Sequence, residues 1–163
     1  MKIKRIYDKV IEKINSDHIK CINNMDKPLF LISTAYPGVW LEHVYDSVMY
    51  AKLFNDTSIA VNTINTFIDL QLENGEYPYS IKQNNTVGYY QIQECVSFAS
   101  LAFMTYEMVN DNDFLLKIYN SAKKWVDWLY KYRMTLNKGL VEMFVGYDTG
   151  HDNSARLDGM KYH

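Results

Sequence analysis

Cysteine is scarce in this chain, with only Cys21 and Cys95 among 163 residues. Two cysteines imply no disulfide framework, so a reducing compartment, the cytoplasm, is the expected setting. Cys95 lies in the apolar run "ECVSFASLAF" and reads as a small buried hydrophobe rather than a redox group. Long apolar runs are missing too. Nothing approaches the roughly 20 residues of a membrane span. The N-terminal "MKIKRIYDKVIEKINSDHIK" alternates apolar with charged residues and has no signal-peptide h-region. A charge excess is also absent. The formal net charge is -2 and there is no long basic block, which argues against nucleic acid or an anionic membrane as the main partner.

What remains is a globular composition, 48% hydrophobic and 22% charged, in a length that suits one domain. Aromatic residues make up 15% of the chain and include 14 Tyr. Their flat apolar faces and polar edges suit sugar recognition and ordinary cores alike. Heavy use of Lys, Asn, Ile and Tyr fits the codon bias of an AT-rich bacterial genome.

Most of the chain reads as helix. Residues 2 to about 22 form a charged amphipathic helix with Ile3, Ile6, Val10 and Ile14 on one stripe. Pro28 and Pro37 punctuate the break that follows. A second helix runs from near Val39 to Phe54 on the stripe Leu41, Val44, Val48 and Ala51. After a short link, in which Asp56 or Thr57 can cap, a third runs to about Asn74 with Val61, Ile64, Ile68 and Leu72 on one side. "GEYPYSIKQNNTVGYY" reads as a long loop. A fourth helix, from about Tyr90 to Val109, is apolar nearly all round between Cys95 and Met104, which predicts burial on several sides. "NDND" is a second short link. The fifth helix runs from about Asp113 to Met134 on Leu115, Ile118, Ala122, Trp125, Leu129 and Tyr132. A last long loop follows, with "LVEMFV" a candidate extended segment.

Links that alternate short and long place all long loops at one end of antiparallel helices. Alternate helices start near 38, 90 and 153, a repeat of helical hairpins about 50 to 60 residues long. The expected fold is therefore all-α: antiparallel helical hairpins forming an open solenoid or part of an α/α toroid. Residues 1–24 would be a leading helix and 25–163 the hairpins of a single domain.

The unusual residues all map to the long-loop end. Tyr36, Pro37 and Trp40 lead into the second helix, and Tyr77, Tyr79, Tyr89 and Tyr90 surround the fourth. On the second helix Glu42, His43, Asp46, Met49 and Tyr50 share a face opposite the apolar stripe. That face is either solvated or turned to a lumen where Asp46 accepts a substrate hydroxyl. The densest stretch is "YDTGHDNSARLDG", 147–159. General acid catalysis by Asp152 would need a desolvated setting or a nearby like charge, which Asp148 or Asp158 could supply. Metal binding through His151, Asp152, Asp158 and His163 fits no ligand spacing, so no metal and no cofactor is expected. The plain alternative is a polar turn that starts a helix at Asp152 or Asn153.

"GYDTGHDNSARLDG" resembles the E-S-G-x-D-N-S-P-R type segment of inverting (α/α)6-barrel glycosidases, the relatives of processing α-glucosidase I, mannosylglycerate hydrolase and trehalase. "YPGVWLEHVYDSVMYAKLF" resembles their first inner helix, with Tyr45-Asp46-Ser47 in place of a Trp-Asp-Ser element. "ENGEYPYS", "YYQIQECVSFASLAF" and "WVDWLYKYRMTLNKGLVEMFVGYDTG" resemble later parts in the same order. The resemblance covers roughly residues 30 to 160. It implies a six-hairpin fold, a carbohydrate substrate with an α-glucosidic or α-mannosidic bond, and Asp152 as general acid. Trp40, Asp46, Tyr90, Gln93, His151, Asn153 and Arg156 become its candidate substrate contacts. Asp148, His151 and Ala155 depart from the usual Glu, Trp and Pro, which bears on sugar specificity.

An inverting mechanism needs a second carboxyl about 6.5–9.5 Å from the first. In the resembled families the general base is a glutamate well downstream, and no residue here takes that role. The chain thus reads as the N-terminal half of a barrel, a fragment expected to be inactive alone, with the C-terminal half as the implied partner. Two alternatives come from other classes: a non-catalytic helical-hairpin interaction module, and an α/α-toroid epimerase or lyase. Long irregular loops at one end disfavour the first. Scarce arginine, only Arg5, Arg133 and Arg156, weighs against a lyase binding uronates.

Overall fold

The computed structural model describes residues 2–22, 24–92, 97–150, 155, 158 and 159. Two helical hairpins form its body. Helix α2 (Val44–Phe54) packs on α3 (Ser58–Asp69), α4 (Phe98–Val109) packs on α5 (Asn112–Tyr132), and α2 also packs against α4. That is the arrangement of neighbouring hairpins in an α/α toroid, with α2 and α4 in the inner positions.

Local chemistry sets the short links. Both inner helices stop at an asparagine with φ +53°, Asn55 and Asn110, a residue that tolerates the left-handed region at a helix end. An aspartate follows each time. Asp56 Oδ1 accepts from the Ser58 N–H at 3.0 Å. Asp111 Oδ1 accepts from the N–H groups of Asp113 at 2.9 Å and Phe114 at 3.2 Å, capping α5.

The core runs along the hairpins. Val44, Val48 and Ala51 of α2 meet Ala60, Ile64 and Phe67 of α3, all at most 1% exposed. Phe98, Leu101 and Ala102 meet Ile118, Trp125 and Leu129 across the second hairpin. The rings of Trp125 and Trp128 stack at 4.8 Å. The predicted stripe of α2 is the buried one. On α3 it is displaced: Ile59, Thr63 and Phe67 are buried while Leu72 lies beyond the helix, partly exposed. On α5 Tyr132 is exposed, and Phe114 and Trp128 join the buried face.

Several expected boundaries are corrected. Helix α1 covers only Lys2–Lys13, followed by a π-turn at Ile14–His18 and an antiparallel pair, β1 (Ile19–Cys21) with β2 (Pro28–Phe30). Its stripe is not core, since Ile3, Ile6 and Val10 are all exposed. The segment before α2 is strand β3 (Gly38–Trp40) and a 3-10 turn at Leu41–His43. The long loop holds a hairpin, β4 (Ser80–Lys82) with β5 (Val87–Gly88), and β4 pairs β3 with Val39 opposite Ile81. Both of those side chains are fully buried, so this small sheet roofs the hairpin core. Tyr90 lies outside any helix at φ +80°. Helix α4 is not buried all round, because Ala99, Ser100 and Phe103 face outward. The stretch 140–145 contains no strand. Among the described residues no helix is long and apolar enough to cross a membrane.

Candidate active site

Three loops converge at one end of the hairpins. The first joins the second through the sheet and through the Leu41 N–H, which donates to the Tyr79 carbonyl at 2.9 Å. The second joins the third through Asp148. This carboxylate is fully buried. Its Oδ1 accepts from the Ile92 N–H at 2.8 Å. Its Oδ2 accepts from Arg133 Nη1 at 2.6 Å and from the N–H groups of Phe144 and Val145 at 2.8 and 3.3 Å. Arg133, just past the end of α5, lies over the rings of Phe144 and Trp128 and donates from Nη2 to the Tyr90 carbonyl at 2.7 Å. The Tyr90 N–H in turn donates to Glu76 Oε1 at 2.6 Å. Burial pushes the Glu76 carboxyl up, opposed by that backbone bond, by the charge of Arg133 and by Asn74. One buried knot therefore fixes the residues on both sides of the second and third loops.

Asp148 is thus not a free like charge for a neighbouring acid. The Arg133 guanidinium neutralises it, and three backbone donors hold it. The sequence marked Arg133 only as one of few arginines. Its signal was a lone arginine following an aromatic helix end, with an unexplained aspartate before a glycine downstream.

The third loop also reaches the first. Gly150 has φ +65°, and a Cβ built on it would collide with Glu42 Oε2. The 3-10 turn Gly146–Thr149 therefore delivers Gly150 directly against Glu42, in the turn that leads into α2. There Glu42 Oε1 stands 3.4 Å from His43 Nδ1, which makes no hydrogen bond. Burial keeps the His43 pKa below its ordinary value, with Asp46 opposing. Asp46 is half-buried, and its carboxyl is raised by that burial against the charges of His43 and His18. A half-buried carboxyl beside an imidazole offers hydrogen-bonding groups to a hydroxyl-rich ligand.

The face of α2 carrying Asp46 is neither wholly solvated nor wholly turned to a lumen. Farther along, Tyr50 packs between Phe30 and Phe54 and donates to Asn15 Oδ1 at 3.3 Å. Of the other aromatics, Tyr77 is core, against Phe98 and Trp125. Tyr90 is 80% exposed and open to a ligand. Trp40 is half-buried. Gln93, His151, Asp152, Asn153 and Arg156 lie outside the described residues, as does the expected helix start near 153. His163, weighed and set aside as a metal ligand with His151, Asp152 and Asp158, does too.

Paired inner and outer helices with carboxylates and aromatics gathered at one end are the framework of a helical-hairpin glycoside hydrolase. The family model of the mannosylglycerate hydrolase MGH1-like glycoside hydrolase domain matches residues 36–162, and the chain belongs to this family. No curated protein and no solved structure gives a significant match.

Proposed function

We propose that the chain carries the general-acid half of an inverting glycosidase site for an α-glucosidic or α-mannosidic bond. Asp152 is the acid that protonates the leaving oxygen, and Asn153 and Arg156 position substrate beside it. Trp40, Asp46, Tyr90, Gln93 and His151 are the remaining contacts. The general base comes from residues outside these two hairpins. Residues 1–24 lead into the fold, and 25–163 contribute barrel hairpins.

The observation that supports this most is the meeting of Gly150 with Glu42. Gly150, two residues before Asp152, meets the turn that leads to Asp46, which supports an acid and a hydroxyl acceptor sharing one substrate. The test is direct. The chain alone should bind methyl α-D-glucopyranoside or methyl α-D-mannopyranoside yet fail to hydrolyse the matching 4-nitrophenyl glycosides. Turnover by the chain alone that survives Asp152→Asn would remove Asp152 from the acid role.

A further inference from the structure

Beside the Asp46 cluster lies a cleft that shares Trp40 with the proposed contacts and extends away from Asp46 over residues the single-sugar reading does not use. It has a volume of about 580 Å³ and is lined by Ala35, Tyr36, Pro37, Trp40, Lys82, Gln83 and Asn84. That size falls in the range of small-molecule sites, roughly 300–1,000 Å³. None of Glu42, His43 and Asp46 lines it, but Trp40 does, and the Leu41–His43 turn runs from Trp40 straight to the Asp46 cluster.

The sheet explains its chemistry. Side chains alternate across a strand, so Val39 and Ile81 face the core while Gly38, Trp40 and Lys82 share the outer face. Gly38 sits opposite Lys82 in the β3–β4 register. A Cβ on Gly38 would lie 2.9 Å from Cζ3 of Trp40 and 2.8 Å from the Ile81 carbonyl oxygen. The missing side chain lets the indole fold over its own strand as a flat platform. Tyr36 adds a second ring, 67% exposed. The Gln83 N–H donates to the Pro37 carbonyl at 2.7 Å, which binds the 83–85 turn to the rim. Asn84 Oδ1 accepts from the Thr86 N–H at 3.1 Å, so its amide NH2 is not used in that bond. Among the described residues no carboxylate pairs with Lys82. Aromatic faces for the C–H surface of a pyranose, with amide and ammonium donors at the edge for its hydroxyls, are the chemistry of a sugar site.

We infer that this cleft is a subsite for a second sugar residue, so that the substrate is an oligosaccharide or extended glycoside rather than a simple monoglycoside. The inference rests on the glycosidase reading and names the length of its substrate. It is tested on the full chain by amide and indole NMR titration with maltotriose and with an α-linked mannotriose, each against its methyl monoglycoside. One trisaccharide should bind about tenfold more tightly than its monoglycoside, equivalent to about 1.4 kcal/mol, and should shift the Trp40 indole and the Gln83 and Asn84 amides. Gln83→Ala with Asn84→Ala, two changes on a surface turn, should lose most of that gain. Monoglycoside binding near Asp46 with no gain from either trisaccharide, or a gain that leaves the Gln83 and Asn84 amides unmoved, overturns the subsite and spares the glycosidase reading. Binding of no sugar at all overturns both.

Discussion

The two ends of the hairpins are held by different physics. At the short-link end each connection is made by neighbours in sequence: an asparagine in the left-handed region, then an aspartate that accepts from the first backbone N–H groups of the next helix. At the long-loop end the decisive bonds join distant segments, as Asp148 reaches Ile92 and Arg133 reaches Tyr90. The first arrangement is cheap to form and easy to lose piecemeal. The second buries a charge pair and stands or falls as a unit. The described candidate residues Trp40, Asp46 and Tyr90 lie toward the end whose geometry is set cooperatively.

That contrast can be broken from either side. The largest effect is expected at the knot. Arg133→Ala leaves the Asp148 carboxylate buried without its cation and should cost about 3–5 kcal/mol by urea unfolding. Removing both partners, as Arg133→Met with Asp148→Ala, should not restore stability. The N–H groups of Ile92, Phe144 and Val145 would then lack their acceptor. Full recovery in the double variant would show that the knot is an ordinary ion pair. At the other end Asp111→Ala removes one cap and should cost about 1 kcal/mol, read by the same unfolding curves, with the loop end untouched.

The smallest effect should be seen in the pH dependence at Asp46. Its carboxyl titrates above the ordinary value of 3.8. The protonated form is therefore favoured on folding. That stabilisation is complete below the ordinary value and is lost as pH rises through the raised one. Asp46→Asn removes the loss, so its melting temperature relative to wild type should climb between about pH 3.8 and neutrality. A constant difference would place Asp46 in a solvated setting. His43 works in the opposite sense, because its lowered pKa costs stability as pH falls and the ring is forced to charge.

The sequence made the hairpins and both short links legible because their causes are local: apolar spacing, Asn and Asp at fixed places. The family-bearing stretches were legible as motifs. The rest depends on partners the chain brings from far away. Strands of two or three residues carry too little alternation to be read, so the β4–β5 hairpin passed for a loop. Tyr77 reads as one of the loop-end aromatics, yet Phe98 and Trp125 close around it in the core. Asp148 looked like an accessory charge because Arg133 reaches it only after α5 has turned its end toward the loop. The stripe of α1 obeyed the helical period, yet period alone names no partner.

The contact between Gly150 and Glu42 also bears on timing. It joins one residue from the first hairpin's approach to one from beyond the second. Contacts between such distant positions must overcome the entropy of closing the whole intervening chain, and they come after local pairs have formed. The loop that carries the candidate acid is thus a clasp that shuts last. Until both hairpins have folded and docked, Gly150 and Glu42 belong to separate pieces of chain.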